Sequence, residues 1–316
     1  MQELVQLAEG CGYLPGAVNA GVVWAPDGRT VAVDTGGDRE AGRNLLRAVQ
    51  ARALRLAAVV NTHSHADHYG GNDYLLRQVP HLEVWAPVFE EAVLRNPYLE
   101  PFYLYGARPP EALQNKWLMA KPSAVHHVYP TGDGELRVAG LVLRVHRADG
   151  HAPRQAAVGF GPVCYAADSF FGPEVLEKYE IPFAHDVAGQ LDTLERLRGW
   201  PYEWFVPGHG APVRRPDLPA VLDANVRAVR QATERVRRAV GSGATADEVV
   251  HRVAAQLRSP PTNPSTYFLL RATVMAHLTY LLEAGELSWA LDRGALRWLP
   301  AADSPTRAAA GDSPAR

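Results

Sequence analysis

Residues 56–68 read LAAVVNTHSHADH. The first six are a continuous apolar run closed by Asn61, the pattern of a strand buried on both faces. It runs straight into His63, His65, Asp67 and His68. In an extended chain, residues two apart point the same way, so His63 and His65 can grip one cation together. Asp67 and His68 fall where the chain turns into a helix, aimed at a second cation. Gly70-Gly71 permits the close backbone approach and tight turn that such a loop needs.

Imidazole nitrogen and carboxylate oxygen are ligands that catalytic zinc accepts. A first ion needs a third histidine, and Gly150-His151 offers one directly after a strand pattern. A second ion needs a further ligand, and Gly208-His209 offers it after another strand. Asp168, closing the apolar run GPVCYAAD, can bridge the two. These candidates fall at strand ends or in the loops that follow, where a rigid sheet commonly carries its functional groups. The other histidines (His81, His126, His127, His146, His185, His251 and His277) have no such context. A purely structural zinc site prefers a closed set with cysteine, and neither Cys11 nor Cys164 is suitably placed.

The ordered set His63, His65, Asp67, His68, His151, Asp168 and His209 resembles that of the metallo-β-lactamase-fold hydrolase superfamily, over roughly residues 10–215. The HxHxDH motif of that family matches at residues 63–68. The resemblance implies an α/β (α+β) fold, a four-layer αββα sandwich. It implies one ion on His63, His65 and His151, another on Asp67, His68 and His209, and Asp168 between them. Asp34, in VDTG, resembles an aspartate that steadies the histidine loop without touching metal, a support that is physically expected. Two departures stand out. Ala167 replaces the usual glycine before the bridging aspartate, and Arg154 follows Pro153 where relatives near glyoxalase II carry small residues.

Outward from the motif, residues 20–34 predict two strands around Asp27-Gly28, 39–52 a helix, 67–79 a helix and 82–87 a strand. Residues 134–168 predict four strands, 187–199 a helix and 202–207 a strand. The segment 97–123 interrupts this with five prolines and the aromatics Tyr98, Phe102, Tyr103, Tyr105 and Trp117, reading as a lid-like insertion or an interface. Residues 1–215 thus form the expected catalytic domain. From 216 to 300 the pattern is helical. Thr245 to Glu248 is a capping box, 265–284 is an apolar helix, and a hairpin turns at Asp292-Arg293-Gly294, together a winged-helix-like domain. Residues 301–316 predict a disordered tail.

Such a module suggests nucleic acid. Its candidate recognition helix, however, carries only Arg271 as a base, and phosphate contacts need Lys or Arg. Packing or dimerisation is the favoured role. The arginines Arg227, Arg230, Arg235, Arg237 and Arg238 keep the other reading open. Overall, 32 basic and 34 acidic residues give a net charge of −2, with no global attraction to polyanions. The N-terminus MQELVQLAEG lacks a basic region before an apolar one, and no apolar run reaches bilayer length, so a cytoplasmic protein is expected.

The expected chemistry is hydrolysis of a small thioester, ester or lactone. Two divalent ions, zinc first with iron or manganese as alternatives, would share a bridging hydroxide that attacks the carbonyl. Asp67 and Asp168 are the candidate catalytic carboxylates. The partner is a small-molecule substrate, with no membrane; a homodimer is compatible. Three alternatives stay open. These are a phosphodiesterase or endoribonuclease, an oxidoreductase like the mononuclear iron persulfide dioxygenases, and a ligand sensor whose winged module binds DNA. Arg154, Lys178 and His185 are weaker candidates for substrate contact.

Overall fold

The computed structural model describes residues 2–301. Two sheets carry the architecture. The first contains β1 (Val5–Ala8), β2 (Cys11–Leu14), β3 (Ala20–Trp24), β4 (Arg29–Val33), β5 (Arg55–Val60), β6 (Glu83–Pro87) and β7 (His127–Tyr129), side by side in chain order. β1 to β4 are antiparallel, and β4 to β7 run parallel. The parallel crossovers hold α1 (Arg39–Ala51), α2 (Ala66–Tyr69), α3 (Asn72–Gln78), α4 (Glu90–Arg95) and α5 (Leu99–Tyr105).

The second sheet has β8 (Gly134–Val138), β9 (Leu141–Arg147), β10 (Ala156–Phe160), β11 (Val163–Ala167), β12 (Trp204–Pro207) and β13 (Val213–Arg214), again in chain order. Its parallel pair is β11 and β12, joined through α6 (Pro173–Lys178) and α7 (Val187–Gly199). Three helices follow, α8 (Leu218–Val240), α9 (Ala246–Ala254) and α10 (Pro264–Glu283), then a hairpin of β14 (Leu287–Asp292) and β15 (Ala295–Pro300).

The period-two alternation of the strands distributes their side chains between layers. Val31, Val33, Ala58 and Val60 face the second sheet, where Leu143, Val145, Val158 and Tyr165 meet them. Ala32 and Val59 face the other way, onto Leu45, Val49 and Leu75 of α1 and α3. On the second sheet, Ala157, Cys164 and Phe205 pack outward against Leu194 and Leu197 of α7 and Leu218 and Leu222 of α8. Helix, sheet, sheet and helix therefore form the expected αββα sandwich. Cys164 is a fully buried core residue.

The helix expected over 67–79 is two helices, parted at Gly70-Gly71. A Cβ on Gly70 would lie 2.1 Å from the carbonyl oxygen of Gly37, so the chain turns where the two backbones touch. α8 spans two cores. Leu218 and Leu222 belong to the outer layer of the sandwich, while Val236, Ala239 and Val240 join Val249, Val253, Val274, Leu278 and Trp298 in a separate cluster. The capping box at Thr245 and Glu248 forms as expected. The hairpin turns on Arg293 and Gly294, both at positive φ.

The 97–123 segment is strapped onto α10. Leu104, Leu113 and Leu118 pack against Phe268, Leu269 and Ala272, and Asn115 Nδ2 donates to Ser265 Oγ at 2.9 Å. No helix among the described residues is long and apolar enough to cross a membrane. The expected tail lies outside the described residues apart from Ala301. Leu113 is fully buried in this strap, so Leu113→Ala should cost about 2–5 kcal/mol. Urea unfolding measures it, and a loss below about 1 kcal/mol would mean that the strap is not seated as described.

Candidate metal centre

The loops after β4, β5, β11 and β12 and the β9–β10 turn converge on one cluster. His65 caps α2, which carries Asp67 and His68. His151 follows Gly150, whose φ of 127° suits glycine. Asp168 and His209 follow the parallel strands β11 and β12, so both leave from the same sheet edge.

Ligand atoms of His63, His65 and His151 lie within 4.8 Å of one another, as do those of Asp67, His68 and His209. Asp168 stands between the two groups. Its Oδ2 is 3.2 Å from His151 Nε2 and 3.5 Å from His209 Nε2, and its Oδ1 is 3.4 Å from His68 Nε2. All seven sequence-predicted residues are thus brought together, in the expected two sets.

The far nitrogens of four of these imidazoles are engaged. His68 Nδ1 donates to Asp34 Oδ2 at 2.8 Å, His151 Nδ1 to the Phe183 carbonyl at 3.1 Å, and His209 Nδ1 to the Ala17 carbonyl at 2.8 Å. Thr62 Oγ1 donates to Asp34 Oδ2 at 2.7 Å and so accepts from His63 Nδ1 at 3.0 Å. Each ring therefore presents Nε2 to the cluster, while His65 presents Nδ1, 2.9 Å from His151 Nε2. His63 Nε2, His68 Nε2 and Asp168 Oδ1 are buried without a hydrogen-bond partner. Buried polar atoms are rarely left unpaired, and three converging nitrogen and oxygen atoms with no other partner fit divalent cations.

Burial disfavours charge on His63, His65 and His151. His63 is held well below the usual histidine range, His65 at about 3, and His151 is lowered too. These rings are neutral and ready to ligate. Burial also opposes charge on His68 and His209, but carboxylates override it. Asp168 and Asp34 hold His68 well above the usual range, and Asp168 with Asp67 raises His209 to about 10. Burial pushes against ionised Asp67 and Asp168, yet the neighbouring imidazoles win. Asp67 falls to about 2, with His209 the largest lowering influence, and Asp168 falls well below its usual value, led by His68.

Asp34 is also near His63 and His68, but both its oxygens are occupied. Oδ1 accepts from Thr62 N at 2.9 Å, and Oδ2 from Thr62 Oγ1 and His68 Nδ1. Its place is support of the loop. Ala167 adopts φ of 48°, the left-handed conformation that explains why glycine usually stands there. Gly208 is needed for space, since a Cβ would lie 2.1 Å from Asp168 Oδ1. The Arg154 guanidinium lies 3.6 Å from Asp149 Oδ2. Lys178 lies over Tyr179, and His185 donates its backbone N–H to the Gly150 carbonyl.

Sequence reasoning missed Glu90. This carboxylate is 1% exposed. It accepts from Ser64 N at 3.1 Å, Ser64 Oγ at 2.5 Å and Arg154 N at 2.8 Å, tying the histidine loop to the loop after His151. Asn19 was missed as well; its Nδ2 donates to the carbonyls of Pro207 and Gly210 on either side of His209. Neither belongs to a local motif, so only the fold reveals them.

Known proteins resemble this chain. A hydroxyacylglutathione hydrolase from Synechococcus is 55% identical over 42 residues, 13% of this chain and 16% of that protein. One from Xanthomonas euvesicatoria is 27% identical over 189 residues, 58% of each. The matched stretch thus spans less than two thirds of these curated relatives. A metallo-beta-lactamase family protein from Thermus thermophilus superposes with a TM-score of 0.70 at 22% identity, over 93% of this chain and all of that one, a likeness of fold. The family profile described as the metallo-beta-lactamase superfamily matches residues 13–209 and spans all seven clustered residues, more than half of the sequence, and the chain belongs to that superfamily.

Proposed function

We propose that the protein is a dinuclear metal-dependent hydrolase of a small thioester, ester or lactone. The observation that carries this reading is the pair of three-residue groups with Asp168 between them. His63, His65 and His151 would hold one divalent ion, Asp67, His68 and His209 the other, and Asp168 both. Zinc suits this donor set best, with iron and manganese as alternatives. Such a pair polarises a carbonyl and lowers the pKa of water so that hydroxide is available at neutral pH.

The chain's own residues orient and shield. Asp34, Thr62 and the Phe183 carbonyl fix the rings and their tautomers. Asp168 is buried and confined to the space between the two groups. Asp67, with its side chain 46% exposed, is the carboxylate on the open side. The rings of Phe171 and Phe183 pack on His151 at 5.8 and 5.5 Å, which favours an uncharged acyl group beside it. The names of the Synechococcus and Xanthomonas relatives support a thioester.

The nuclease reading is weaker on charge. Arg237 and Arg238 are paired with Glu234, Arg235 lies 3.7 Å from Glu180, and Arg271 lies 3.3 Å from Asp247. We take residues 216–300 as a helical, winged-helix-like packing module. One iron per chain would instead favour the dioxygenase alternative, and a substrate panel of thioesters, lactones, phosphodiesters and RNA separates the rest.

Asp168→Ala should cost most of the bound metal and nearly all turnover. Elemental analysis with two ions retained and full activity would overturn the dinuclear reading. Asp34→Ala should weaken metal affinity by about 10–100-fold with the ligands intact, measured by chelator competition. At pH 7 His68 and His209 are protonated without metal, so loading should release protons, seen as a buffer-dependent heat, and less from His209→Ala. The raised His209 pKa adds stability to the metal-free protein below about pH 6.5, and this is lost as pH rises through about 10. Melting curves across that range should fall more steeply for the wild type than for His209→Ala.

A further inference from the structure

Phe183 lies at the edge of the metal cluster, its ring 5.4 Å from His65 and 5.5 Å from His151, while its carbonyl holds His151 Nδ1. Phe171 stands opposite, 5.8 Å from His151 and 6.5 Å from His209. Behind these two rings lies a narrow crevice, lined on the near side by Phe171, Phe183, Ala184 and Gln190. Its far walls come from the C-terminal helices, through Val229 and Ala232 of α8 and His277 of α10. At its centre only a water-sized group fits, the scale of one methyl.

We propose that this crevice is the subsite for the substrate's apolar acyl arm, so that α8 and α10 select the acyl group while the sandwich supplies the metal cluster. The inference rests on the hydrolase reading above.

Three features make it a built site. Asn225 of α8 grips the backbone of Phe171 from both sides, accepting from its N–H at 2.9 Å and donating to its carbonyl at 2.8 Å. Asn225 is itself buried, and a third bond to the Val221 carbonyl fixes its amide. The aromatic wall beside His151 is therefore positioned by the C-terminal helix. Next, the lining is apolar apart from Gln190, Asn225 and His277. Burial holds His277 at about pKa 4, and its Nδ1 is matched to Thr233 Oγ1 at 2.9 Å, so the far wall is uncharged. Finally, Ala184 and Val229 of the lining pack with Val187, Leu191 and Ala276 in one apolar cluster that backs the crevice. A narrow, neutral slot suits a short unbranched acyl chain and rejects a phosphate.

The test uses the full-length zinc-loaded protein with a series of S-acyl-N-acetylcysteamine thioesters from acetyl to octanoyl. The wild type should favour the short members. Val229→Ala widens the slot and should move the ratio of kcat/KM for hexanoyl over acetyl up by about tenfold or more, the worth of one or two methylenes in a fitted pocket. Ala232→Val narrows it and should move the ratio the other way. A second readout needs no turnover. Acetate should raise the melting temperature of the wild type more than hexanoate, and Val229→Ala should reverse their order. Failure of every thioester, ester and lactone to turn over would sink the hydrolase reading, and the melting shifts would still decide the pocket. Turnover with the same chain-length profile and the same carboxylate shifts in wild type and both variants would overturn the acyl subsite.

Discussion

One buried carboxylate holds the candidate centre together. Asp34 ends β4 in a left-handed conformation and accepts from Thr62 N, Thr62 Oγ1 and His68 Nδ1, so a single side chain ties the end of one strand to the loop after the next. Remove it and His68 has no fixed tautomer, Thr62 no fixed hydroxyl and His63 no fixed Nδ1 partner. These three donors satisfy both of its buried oxygens. The glycines follow from the same contact. Gly70 and Gly71 let the loop after His68 press on Gly37 and Thr35, and a side chain there would push His68 off Asp34.

The charges around the cluster balance in a way that depends on what occupies it. His68 and His209 hold Asp67 and Asp168 below the usual carboxylate range against burial, and those carboxylates hold the two imidazoles up in turn. The His63, His65 and His151 side has no such compensation, because burial and the neighbouring imidazoles outweigh the attraction of Asp168. The two halves therefore differ before any ion arrives. One is a set of neutral imidazoles, and in the other carboxylates hold the imidazoles' pKa up.

The sandwich and the cluster were legible because their signals are local or periodic. His63 to His68 lie within six residues, and strand alternation writes the two cores directly into sequence. His151, Asp168 and His209 each follow a recognisable strand. Glu90, Asn19 and Asn225 were not legible, since each acts through long-range hydrogen bonds to backbone that no local pattern encodes. The 97–123 segment was read as unusual but not as a strap, because Leu104, Leu113 and Leu118 follow no helical or strand period. Arg154 was legible as a departure, but its partner Asp149 was not.

The strap and the crevice behind Phe171 share a cause. α10 presents Phe268, Leu269 and Ala272 to the strap, while His277 and Ala276 face the crevice side. α8 likewise buries Leu218 and Leu222 under the second sheet, then reaches Phe171 through Asn225 and the crevice through Val229 and Ala232. One helix pair thus contacts both the αββα sandwich and the wall of the metal cluster. A change in how that pair packs cannot leave Phe171 in place, because the hydrogen bonds that set its backbone come from α8. The helical part of the chain is then coupled to the candidate centre by position alone, without itself contributing any of the seven clustered residues.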